Sequence, residues 1–227
     1  MAKRIFNLVE RIALLASQQG GYASRQDIAG HVGTASQQAW NALIPAKSQR
    51  AVGPGLNRSL DGRLTPFLRE LVYLPSVGSG PLAIDIDGRF SLPEPGYVSF
   101  YQVEGADSVE EVPGMGWGQR LRDPNCGPTT RAYIVRDVEH GPIGHGHQIA
   151  PIPEKMVLNF YAQPTEPVYF ESYVNDVATY DDTRSVDTGW GTEMDPELMV
   201  RALRLMGVEI RDPALQAVAA QLTAESV

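Results

Sequence analysis

The chain has one cysteine, Cys126. A lone thiol rules out an intrachain disulfide and a four-cysteine zinc site, and the sequence shows no adaptation to an oxidising compartment. No run approaches the roughly 20 apolar residues of a membrane-spanning helix. Positive charge is not in excess either: 19 Lys and Arg stand against 27 Asp and Glu, a formal net charge of −8. That balance argues against a protein whose main task is gripping nucleic acid phosphates. It leaves open a surface that DNA slides past, where weak adhesion is useful. The sequence contains no Gly-x-Ser-x-Gly, no Walker loop and no dinucleotide fingerprint. It shows no internal repeat and no low-complexity tract. The opening MAKRIFNLVERIALLASQQGG starts basic, but its apolar positions are periodic and Glu10-Arg11 interrupt them. It reads as an amphipathic helix and not a signal peptide, so the expected compartment is a bacterial cytoplasm.

What is present is a folding sequence. The 227 residues are 43% apolar, enough to bury a core as one large or two small domains. Ile5, Leu8, Val9, Ile12, Leu15 and Ala16 recur at the spacing of one helix face, and Gly20-Gly21 stop that helix. Ser24 stands three residues before Asp27 as a capping pair. Ile28, Val32, Ala35, Ala39, Trp40 and Leu43 form a second helical stripe that Pro45 ends. Gly30 and Gly33 weaken it by about 1 kcal/mol each against Ala, so this helix needs tertiary support. Gly53-Pro54-Gly55 mark a loop. Leu60 to Leu71 is expected to hold a short helix with Pro66 near its start.

From Leu74 the character changes. Leu82, Ile84 and Ile86 alternate up to Asp87-Gly88, and Phe90 and Leu92 follow, a hairpin signal. Tyr97 to Val103, Ala132 to Val138, His147 to Ile152 and Met156 to Tyr161 are strand candidates, being rich in aromatic and β-branched residues. Ser172 to Thr188 is expected as loop. Two helices close the chain, each opening on Asp-Pro: Asp195-Pro196 and Asp212-Pro213. Asp is a favoured N-cap and Pro fits the first helical turn. Gly207 is placed to end the first of the two in the left-handed conformation. The fold class expected is therefore α+β. A helical domain is built from the N-terminal and C-terminal segments, because each end helix has one apolar stripe to bury. A β-rich domain, sandwich or barrel-like, is inserted into it. The bounds read 1–73 for the helical arm, 74–171 for the β-rich domain and 172–227 for the loop and helical pair.

The stretch SVDTGWGTEMDPELMVRALRLMGVEIRDPALQAVAAQLTAESV, Ser185 to Val227, resembles the C-terminal tail of a class of small virion proteins from tailed bacteriophages. The likeness lies in an acidic-aromatic lead, a helix with Arg-Ala-Leu-x-Leu-x-Gly, an Ile-Arg-Asp turn and an Ala- and Gln-rich last helix. RQDIAGHVGTASQQAWNALIPAKSQ is similar to their N-terminal region. LDGRLTPFL, with Leu64, Pro66 and Phe67, resembles their Leu-x-Pro-Phe element. WGQRLRDPNCGPTTRAYIVRDVEHGPIGHGHQIAPIPEKMVLNFYAQPTEPVY resembles their β-domain. The Gly53-Pro54-Gly55 loop has no match in the pattern. The resemblance implies a non-enzymatic neck protein of the head-to-tail connector or adaptor type. Such a protein forms a dodecameric ring between portal and tail. Its implied partners are copies of itself, the portal, adjacent neck or tail proteins and passing DNA, with no membrane, no cofactor and a place in the virion.

The chemistry-bearing residues admit other readings. His140, His145 and His147 form a cluster whose His-x-His pair can bind a divalent ion when it lies on one strand face. The plainer readings are a Gly-rich turn with exposed histidines, or a pH-responsive subunit contact. Cys126 has histidines downstream as a base, yet reads first as a buried or turn-located thiol. Gly114-Met115-Gly116-Trp117-Gly118 lacks a following Lys-Ser/Thr and reads as a flexible loop, with Met115 and Trp117 as interface candidates. The acidic run Glu104 to Glu111 and the pair Asp181-Asp182 read as solvated loops. Basic residues gather in the first third of the chain. They read as a solvated helix surface or as an electrostatic seat for an acidic partner, with Arg58, Arg63 and Arg69 the interface candidates. The competing functions are thus a tail or fibre component, and a metal-dependent hydrolase built on the histidine cluster.

Overall fold

The computed structural model describes residues 3–18, 23–44, 62–74, 82–112, 122, 131–139, 145–175, 177–208 and 213–224. It is mixed α and β, with helices and several sheets. The chain divides into two compact units. One comprises Met1–Ile44, Asp61–Pro66 and Pro164–Val227; the other comprises Pro45–Leu60 and Phe67–Gln163.

In the first unit, helix α1 spans Lys3–Ser17. Its stripe of Ile5, Leu8, Val9, Ile12 and Ala16 is buried as the periodicity demands. Helix α2 spans Arg25–Leu43 and is capped by Ser24, whose hydroxyl accepts from Asp27 N at 3.1 Å. The same hydroxyl donates to the Asp27 carboxylate at 2.6 Å. The helix stops at Ile44, which is extended at φ −79, ψ 122. A residue before proline is driven out of the helical region, and Pro45 follows. Pro167 backs closely onto Gly33, where a Cβ would stand 3.0 Å from its ring; this is the tertiary support the helix was expected to need. Ser36, buried on α2, accepts a hydrogen bond from the indole N–H of Trp190 at 2.7 Å.

Helix α3 spans Asp195–Leu205 and helix α4 spans Pro213–Ala224. Helix α3 packs against α1, α2 and α4, and buries Leu198, Met199, Val200, Ala202 and Leu203. It ends as expected at Gly207, at φ 69, with Val208 N donating to Leu203 O at 2.9 Å. The expected cap by Asp195 does not form. Thr192–Met194 already wind as a 3-10 helix, so Asp195 is itself helical at φ −55, ψ −45. Met194 holds the cap position with no side-chain cap bond. The Asp195 carboxylate instead receives Arg4. Asp212 lies outside the described residues.

The helix expected over Leu60 to Leu71 is only a 3-10 helix, Gly62–Phe67, with Pro66 near its end. From Leu68 the chain is extended as β1, Leu68–Tyr73. The reason is tertiary: β1 pairs antiparallel along the whole of Met156–Tyr161, and such pairing overrides a weak local propensity.

The second unit contains the strands β2 (Arg89–Phe90), β3 (Gly96–Val103), β4 (Ser108–Glu111), β5 (Arg131–Glu139), β6 (His145–Ala150) and β7 (Met156–Ala162). One sheet has the order β1-β7-β3, the other β2-β6-β5-β4. All described pairings are antiparallel except β4 with β5. Met156, Leu158, Phe160 and Ala162 alternate inward along β7. They join Val98, Tyr101 and Val103 of β3 and Phe90, Ala132, Ile134 and Ile149 of the other sheet in one core cluster. Tyr133 and Val135 leave β5 on its opposite face and bury with Val112.

The hairpin expected around Asp87-Gly88 is present only as a turn. Asp85 accepts from Asp87 N at 2.9 Å and Arg89 N at 2.8 Å. This local bonding competes with a ladder, so residues 82–86 are not a strand. Gly88, at φ 75, brings its backbone against Ile149, whose N donates to Gly88 O at 2.9 Å. The stretch expected as loop from Ser172 to Thr188 holds, in the first unit, the hairpin β8 (Glu171–Val174) and β9 (Val177–Tyr180).

Candidate interaction surface

Of the residues singled out as an interface, Arg58, Met115 and Trp117 lie outside the described residues, as do Cys126 and His140. Arg63 lies in the first unit, 3.2 Å from Glu197. Glu197 is mostly buried and also accepts from Arg201 one helical turn away, at 2.9 Å. Arg69, on β1 of the second unit, stays 49% exposed beside Glu94 at 3.7 Å.

Other cations of the first third are likewise engaged with carboxylates. Arg4 donates to Asp195 and to the carbonyl of Gly191 at 2.6 Å. Arg25 donates to Glu10 through two of its nitrogens and lies 3.6 Å from Glu171. The hydrogen bond to Glu10 is the main reason the Arg25 guanidinium is held above its ordinary pKa. The phenol of Tyr169 also donates to Glu10, at 3.3 Å. Burial, followed by the Glu10 and Glu171 charges, pushes that phenol well above the usual tyrosine range. Tyr169, Tyr180 and Phe6 meet as an aromatic trio, with ring centroids 5.0–6.3 Å apart. Burial is also the leading reason the Tyr180 phenol is raised.

This trio seats the base of the β8–β9 hairpin, while its far end opens to solvent. Tyr173 is 75% exposed and Val177 63% exposed. Asn175 turns the hairpin at φ 51, a conformation Asn tolerates better than most residues. Tyr173 lines a groove of about 490 Å³ together with Ala13, Leu14, Ile28, Glu10 and Glu171. Leu14 is itself 61% exposed. These exposed apolar groups stand beside a groove whose walls also include the charged Glu10, Arg25 and Glu171.

Sequence reading missed this surface. A signal was available: Glu171 to Tyr180 reads as two short runs around Asn175-Asp176, a pair able to form a tight turn.

In the second unit, His147 of β6 stacks on Phe90 at 5.2 Å. Its Nδ1 lies 3.4 Å from the Tyr101 hydroxyl. His145 lies on the same strand, two residues away. No group of three His, Cys, Asp or Glu fit to hold a metal occurs among the described residues. No described helix is long and apolar enough to cross a membrane. No protein-family model matches the chain, and no curated protein matches it.

Proposed function

We propose that the protein is a non-enzymatic virion structural protein that forms a ring in the phage neck, joins portal to tail and lines the DNA exit channel. The observation that carries this reading is the order of features from Ser185 to Val227: acidic-aromatic lead, Arg-Ala-Leu-x-Leu-x-Gly helix, Ile-Arg-Asp turn and Ala- and Gln-rich last helix. The architecture that goes with it is a helical domain made from both ends of the chain, with a β-rich domain inserted. Support for that comes from the segments of the first unit, which precede and follow the strands of the second along the sequence. Support for a channel role comes from the net charge of −8, which disfavours adhesion to passing DNA. Repeated around a closed ring, the same charge repels itself unless a platform supplies the opposite sign. The isolated chain is therefore a monomer or weakly associated, and the portal acts as template for head-to-tail contacts that close as a ring.

Mass spectrometry of purified virions against the infected lysate tests the reading. Enrichment in the particle, with a ring at the neck on imaging, is the expected result. Absence from the particle, or a turnover that depends on His145 and His147, overturns it.

A further inference from the structure

Among the described residues, β8 and β9 form a sheet of two strands, so each has an outer edge. Asp181 N donates to Phe170 O at 2.9 Å, and bonding alternates along an antiparallel pair. From that pair the alternation makes Ser172–Thr179 bonded and leaves Tyr173–Ala178 unbonded within the hairpin. The N–H and C=O of Tyr173 therefore point outward from β8 and those of Ala178 outward from β9, with no partner among the described residues. Native sheets blunt an open edge with charge, proline or a bulge. The other strands that end a described sheet do so here. β1 carries Arg69 and Glu70, β2 Arg89, β4 Glu110 and Glu111, and β8 Glu171, while β3 is bulged between Val98 and Phe100. β9, Val177 to Tyr180, has none of these devices, and Val177, Ala178 and Thr179 are all exposed.

We propose that β9 of one copy pairs antiparallel with β8 of the next, Ala178 opposite Tyr173, so that the hairpins of successive copies join edge to edge. A second copy fits these edges for three reasons. One head-to-tail contact, made twice by every copy, occupies both open edges and repeats as a ring does. β9 is uncharged, and the one charge of β8, Glu171, lies 3.6 Å from Arg25, so chains of net charge −8 meet here with no like charges directly opposite. Strands of four residues extend only about 13 Å, too little for the roughly 1,000 Å² of a stable interface, which suits a weak contact multiplied around a closed assembly. The inference deepens the ring reading and rests on it for the choice of a second copy as occupant.

Cysteine trapping tests it. The proposed register sets Thr179 opposite Ser172 of the next copy at an unbonded site, where Cα atoms lie about 4.5 Å apart, within the span of a disulfide. In a Cys126→Ser background, chains carrying Thr179→Cys and chains carrying Ser172→Cys, differently tagged, are mixed at high concentration under mild oxidation. The mixed disulfide is expected to exceed both like-with-like products severalfold. Ala178→Pro, added to the Thr179→Cys chain, removes the outward N–H and spares the bonds within the hairpin. It should lower the mixed product severalfold, whereas Ala178→Val, which keeps the N–H, should not. A statistical mixture of the three products, or an excess of either like-with-like product, overturns the inference. So does a mixed product that Ala178→Pro leaves undiminished. Should the mixed product form while the protein is absent from virions, the ring reading falls and the contact stands. Presence in virions with a statistical mixture removes the contact alone.

Discussion

Replacing Asp195 separates two accounts of how the C-terminal helix pair is anchored. A helix-capping Asp accepts from the N–H groups of the next turn, and its loss to Ala costs about 0.5–2 kcal/mol. The structure assigns the carboxylate a different partner, Arg4 of α1, at 2.8 Å from Nε. The two side chains keep 15% and 23% of their surface. The pair therefore lies between exposed ion pairs, worth about 0–1 kcal/mol, and buried ones, whose breaking costs about 3–5 kcal/mol. Asp195→Ala is expected to lose about 1–3 kcal/mol on that interpolation. The discriminating variant is Asp195→Asn. Asn caps as well as Asp, so a cap predicts almost no loss, whereas an ion pair predicts a clear loss, smaller than that of Ala because the amide oxygen still accepts from Arg4. Urea unfolding followed by tryptophan fluorescence reads the right region, since Trp40 and Trp190 are both buried there. A double-mutant cycle with Arg4→Ala should give a coupling of about 1 kcal/mol or more. Arg4→Ala alone should cost more than the coupling, because it also loses the Gly191 carbonyl. A coupling near zero, or an Asn variant as stable as the parent, would refute the reassignment.

Deleting Glu197 to Val227 should uncover the α1 stripe that α3 packs on and cause aggregation; a soluble, cooperatively unfolding truncation counts against this. Stability should fall in the alkaline range. The Tyr169 phenol is raised in the folded chain, so its contribution is full below the ordinary tyrosine pKa of about 10 and is lost as pH climbs toward the folded value. Tyr169→Phe should flatten that decline, and an unchanged slope in alkaline melts would contradict it. Gly88→Ala should cost well over about 1 kcal/mol, because a Cβ there would stand 2.2 Å from the Ile149 carbonyl and φ is 75; a variant with an unchanged urea midpoint would dismiss that strain. Charge reversal at Arg58 and Arg69 should weaken incorporation into particles without shifting the melting curve. Reversal at Arg63 should lower stability as well, since Glu197 would lose a partner. Normal incorporation of all three variants, measured in purified virions, would exclude these residues from assembly.

What the sequence makes legible is whatever one stretch of chain decides by itself. The Ile5–Ala16 stripe, the Ser24–Asp27 cap, the Gly207 stop and the strand from Met156 each need only their neighbours, and each reads correctly. The misreadings share a different cause, a partner far along the chain. Asp195 looks like a cap until Arg4, 191 residues away, takes its carboxylate. Leu68 to Leu71 looks helical until β7 offers a ladder. Ser172 to Tyr180 looks like loop because the two runs of the hairpin are only four residues each, too short for periodicity to stand out from polar surroundings. The same limit governs the surface. A count of basic residues in the first third cannot tell which of them are already held, yet Arg4, Arg25, Arg63 and Arg69 all face carboxylates. Their charge is therefore largely balanced where they stand.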